Sequence, residues 1–114
     1  MPENTYDLSS LLCTFVIDLD ETTSAILGEI LDPVRTIRSS ASSAKADILA
    51  MRPLLVIVPS TLAASDHLAL QEAASACGAE LVILNPGDVR RDDPALSVRL
   101  FECIRVVERR RLAR

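Results

Sequence analysis

The chain has 114 residues, 49% of them hydrophobic, and a formal net charge of −4, which suits one domain (1–114) with a sizeable core. Tyr6, Phe15 and Phe101 are the only aromatics, so that core must be aliphatic. No apolar run reaches the roughly 18 residues of a membrane span, and the acidic start Met1–Asp7 lacks the basic region of a secretory signal, so a cytoplasmic protein without membrane contact is expected.

Residues 1–10 read as a polar lead-in. Leu11–Ile17 is apolar on both faces and rich in β-formers, the pattern of a buried parallel strand. It runs directly into Asp18-Leu19-Asp20-Glu21. A helix is predicted over Glu21–Leu31, with Asp20 as its N-cap and Glu21 at the positive end of its dipole. Ile26, Leu27, Ile30 and Leu31 form its apolar stripe, and Asp32-Pro33 ends it. Val34–Arg38 alternates apolar and polar residues, as an edge strand does. One long helix over 21–51 broken at Pro33 is the alternative, and β-branched Val34, Thr36 and Ile37 argue against it.

Ser39–Ser43 reads as a turn and helix cap leading into Ala44–Met51. Leu54–Val58 is the most apolar strand and is expected to be central, closed by Pro59. A third helix is predicted from Leu62 to Cys77, capped by Ser60 or Thr61, with Gly78 just past its end. Glu80–Leu84 is a fourth strand, and Asn85-Pro86-Gly87-Asp88 has the residues of a type II turn. The last helix starts at Pro94 after the cap Asp93 and runs to Arg111 or Leu112.

This alternation predicts an α/β fold: a small doubly wound, three-layer α/β/α arrangement with four parallel strands in the order 2-1-3-4. Asp18 and Asp20 then lie at the carboxyl edge of the sheet, where such folds place their ligands.

Other chemistries are poorly served. Cys13, Cys77 and Cys103 are widely spaced and His67 is the single histidine, so no zinc site has its usual spacing and free thiols are expected. Ser65-Asp66-His67 holds triad residue types, but consecutive helix residues do not face one another. The three glycines are isolated at 28, 78 and 87, so no phosphate-cradling loop exists. Residues 1–89 carry 4 basic and 12 acidic side chains, net −8, whereas residues 90–114 carry 8 Arg and 4 acids, net +4. Those arginines alternate with Leu, Phe, Ile and Val at helical spacing, which reads as a solvated helix face rather than a nucleic-acid surface.

The ordered pattern from the acidic strand end onward resembles response-regulator receiver domains, over about residues 13–110. The resemblance implies a signalling partner and a phosphoaccepting aspartate at the end of the third strand. Pro59 stands there instead, Asn85 replaces the family's Thr or Ser after the fourth strand, and the chain's one lysine, Lys45, lies far upstream of the family's conserved position. The expectation is therefore a regulatory, protein-interaction domain in bacterial-type signal transduction that does not accept phosphate. Leu100, Phe101, Ile104 and Val107 on the last helix are its expected interaction residues, with a homodimer through that helix.

Val16-Ile17-Asp18-Leu19-Asp20-Glu21-Thr22 also resembles the first motif of haloacid-dehalogenase-like phosphatases. That resemblance implies Asp18 as nucleophile, Asp20 as acid/base and a Mg²⁺ ion, with Ser60 or Thr61 as the second motif and Asp88 with Asp92 or Asp93 as the metal-binding motif. No lysine follows Lys45 to complete the family's set.

Overall fold

The computed structural model describes residues 12–113. The predicted lead-in and Leu11 lie outside the described residues. The elements are β1 (Cys13–Ile17), α1 (Glu21–Leu31), β2 (Arg35–Ser39), α2 (Ala41–Met51), β3 (Leu55–Pro59), α3 (Ala64–Ala76), β4 (Glu80–Leu84) and α4 (Pro94–Leu112). All three strand pairings are parallel, in the order β2-β1-β3-β4, as the apolar runs predicted. The fold is flavodoxin-like. No helix among the described residues is long and apolar enough to cross a membrane.

Side chains alternate across the sheet, as the pleat requires. Val16, Leu55, Ile57, Val82 and Leu84 face α1 and α4. Cys13, Phe15, Ile17, Val56 and Val58 face α2 and α3. β1 and β3 are buried at every position, which fits their continuous apolar sequence and central place. The first face is filled by large aliphatics such as Leu27, Leu31, Leu100 and Ile104. The second is filled largely by Ala44, Ala73, Ala74 and Ala79 around Ile48 and Leu70, so helices α2 and α3 lie close on the sheet.

Several boundaries differ from the sequence expectation, each for a local reason. Pro59 is part of β3 rather than its terminator: it needs no donor there, and the ladder continues one residue further as Ser60 N–H donates to Leu84 C=O (2.8 Å). That bond and a turn closed by Leu62 N–H on Pro59 C=O (3.1 Å) delay α3. The helix starts at Ala64, so neither Ser60 nor Thr61 caps it, and Ala63 holds the N-cap position without a side-chain bond. α2 begins three residues earlier than predicted, at Ala41. Asn85–Asp88 is not a type II turn. Asn85 Oδ1 accepts from Gly87 N–H (3.3 Å), and Pro86–Asp88 winds into one 3₁₀ turn in which Gly87 does not adopt the positive φ that type II demands. Gly78 does lie in the left-handed region (φ 76°), where it ends α3.

Candidate functional site

The site proposed by sequence is the carboxyl rim of the sheet. Asp18 leaves β1 with φ 50°, a left-handed conformation that aspartate tolerates better than most residues. Its N–H donates to Ser39 C=O (3.0 Å), tying the end of β1 to the end of β2. The same turn aims its carboxylate at the start of α2, where Oδ2 accepts from Ala41 N–H (3.2 Å). Two residues on, Asp20 caps α1 as predicted: Oδ2 accepts from Thr23 N–H (3.1 Å) and Oδ1 from the Thr23 hydroxyl (2.5 Å). These bonds, the Thr23 side chain first, hold the Asp20 carboxyl below the usual carboxylate range. The two acids therefore serve two different helices.

The remaining rim residues are dispersed. Asp18 shares a shallow cleft with Val16, Leu19, Arg38 and Ser39. Asp88 belongs to a different cleft of about 260 Å³, with Asn85, Asp93 and Arg99. Asp93 is itself a cap, its Oδ1 accepting from Ala95 N–H (3.1 Å) and Leu96 N–H (3.3 Å) of α4. Among the described residues, no group of three or more His, Cys, Asp and Glu side chains gathers where one metal ion could be held. Asp18 and Asp20 each bond at the start of a different helix, and among the described residues no larger set of carboxylate, imidazole or thiol ligands gathers around them for the divalent cation that the phosphatase resemblance implies. Pro59 is buried at the tip of β3 and offers no nucleophile. Lys45 is exposed on α2, on the face of the sheet opposite α1 and α4.

The interaction residues need correction. Leu100, Ile104 and Val107 are buried in the core against the sheet, and Phe101 packs half-buried at its margin. Leu100, Ile104 and Val107 are core residues of this chain and are not free to meet a partner. The apolar side chains that α4 exposes are Val98, Val106 and Leu112 instead. The free cysteines are as expected: Cys13 and Cys77 are buried and Cys103 half-buried, and burial pushes the Cys13 and Cys103 thiols up.

Sequence reasoning passed over one residue. Arg111 Nη2 donates to the carbonyls of Pro53 (2.7 Å), Cys77 (3.1 Å) and Arg52 (3.3 Å). It ties the end of α4 to the exits of α2 and α3. Burial lowers its pKa, yet it remains cationic in this carbonyl cradle. Its position four residues after Val107 on the buried stripe was the available signal.

No family model matches this chain, and comparison with curated proteins and with solved structures finds no significant match.

Proposed function

We propose that the chain is a receiver-like regulatory and protein-interaction domain that does not accept phosphate, acting with a signalling protein partner in the cytoplasm. The observation that carries this reading is the rim: a flavodoxin-like sheet whose two leading acids are engaged at the starts of α1 and α2, beside a β3 that ends in buried Pro59. Aspartyl-phosphate chemistry needs a free carboxylate and fixed cations around the phosphoryl oxygens. Asp18 has one neighbouring cation, Arg38, along its cleft. On this reading, what the domain presents to its partner is surface: the loop after β4 and the outer side of α4.

The test is incubation with acetyl phosphate, and separately with a generic phosphate ester, in the presence of Mg²⁺. Intact-mass measurement is expected to find no phosphoryl adduct, and no ester turnover is expected above that of Asp18→Asn. An adduct or turnover that disappears in Asp18→Asn overturns the reading in favour of the phosphatase.

A further inference from the structure

β4 is an edge strand, and among the described residues no further strand pairs along its outer side. Its register with β3 settles where its backbone points. Glu80 N–H donates to Leu54 C=O (3.1 Å), and Leu84 C=O accepts from Ser60 N–H. Glu80, Val82 and Leu84 therefore bond inward, and Leu81 and Ile83 turn their N–H and C=O groups outward. Arg99 reaches one of these, the Ile83 carbonyl, at 3.5 Å. Ile83 keeps 45% of its surface exposed. An apolar strand with open backbone groups is a template for another strand.

We propose that the occupant of this edge is a second copy of the chain, with the two β4 strands antiparallel about a two-fold axis at Val82, making one continuous sheet. Three features fit this occupant. First, the outward backbone groups are symmetric about Val82. Leu81 of one copy meets Ile83 of the other in a hydrogen-bonded pair that exchanges N–H···O=C bonds in both directions, and the axis repeats the pair. Second, Leu81 and Ile83 lie on the same face, so each exposed Ile83 side chain covers a half-buried Leu81 of the other copy.

Third, the charges complement each other. Glu80 and Arg99 lie at opposite ends of β4: Arg99 lines the cleft at Ile83 and Leu84, and Glu80 is held by Arg110 at 3.2 Å. Antiparallel pairing sets Glu80 of one copy opposite Leu84 of the other, within reach of that copy's Arg99 and on the same face as α4. Between the two arginines, the flank of α4 beside β4 carries Cys103 and Val106, the latter 43% exposed. The pairing gives an apolar centre bounded by charge, the usual anatomy of a specific interface. This inference does not depend on the regulatory reading above.

The test is the mass of the full chain by light scattering and sedimentation velocity from about 1 to 200 µM. Twice the 12.4 kDa chain mass is expected. Ile83→Pro removes an outward N–H without touching the β3 ladder, a change edge strands tolerate, and is expected to give a monomer with an unchanged circular dichroism spectrum. Should that variant not fold, Ile83→Lys serves in its place. In a Cys103→Ser background, mixed Leu81→Cys and Ile83→Cys chains are expected to cross-link on mild oxidation, whereas either variant alone does not, because paired Cα atoms about 5.5 Å apart suit a disulfide. A strict monomer at 200 µM, a dimer that persists in both Ile83 variants, or cross-linking of a single variant alone would each overturn the proposal.

Discussion

β2 and β4 both lie at an edge of the sheet, yet they are built differently. β2 reads Arg-Thr-Ile-Arg-Ser, with Arg35 and Arg38 exposed on opposite faces. β4 reads Glu-Leu-Val-Ile-Leu, with an exposed Ile83 at its outer end. Charges along an edge discourage another strand from pairing there, because pairing would strip their water. The contrast teaches that openness of an edge is not enough to make it adhesive; the side chains decide. It also assigns the supports. α4 and Arg111 back the β4 side, and Asp18 fastens the end of β2 to β1 and α2.

Breaking the β4 support is expected to have the largest effect. Leu100 of α4 is fully buried against the sheet, and Leu100→Ala is expected to cost about 3 kcal/mol in chemical denaturation, from lost burial and the cavity left behind. Arg111→Ala removes a donor shared by three carbonyls and is expected to cost about 2 kcal/mol by the same measurement. On the β2 side the expected losses are smaller. Asp18→Ala forfeits the bond to Ala41 N–H and places alanine at a positive φ, for about 1 kcal/mol.

Acid sharpens the same region. The Asp20 pKa is lowered in the folded chain, so its stabilising contribution is present above the unfolded value of about 4 and is lost as pH falls through the lower folded value. Thermal melting between about pH 6 and pH 3 is expected to show a steeper decline for the parent chain than for Asp20→Asn. The smallest effect on stability, within about 0.5 kcal/mol, is expected for Arg35→Val with Arg38→Val. That pair removes the charges of β2, and light scattering is expected to show assemblies beyond the dimer. An unchanged mass distribution would mean that side-chain charge is not what separates the two edges.

Much of the fold was legible because buried parallel strands are continuous apolar runs, so strand number and the order 2-1-3-4 followed from Phe15–Ile17 and Leu54–Val58 being the most apolar stretches. The Asp20 cap was legible too, since an N-cap bonds within three residues of itself. The partner of Asp18 was not, because it lies 23 residues away and depends on a left-handed turn. Nor was the fate of Leu100, Ile104 and Val107: helical spacing reveals an apolar stripe but not whether it meets its own sheet or another molecule. The free groups of β4 are backbone atoms, which side-chain patterns do not encode. The late start of α3 hinged on Ser60 N–H prolonging the ladder to Leu84, a contact between strands.

The capped helices at the rim have an electrical consequence. The start of a helix at the carboxyl end of such a sheet ordinarily offers N–H groups and a positive dipole end to a phosphate. Here Asp20 and Asp18 occupy those positions at α1 and α2, and Asp93 does so at α4. Three sites that could have welcomed an anion carry built-in anions of their own. The N–H groups that would have met a phosphate there are instead answered from within the chain.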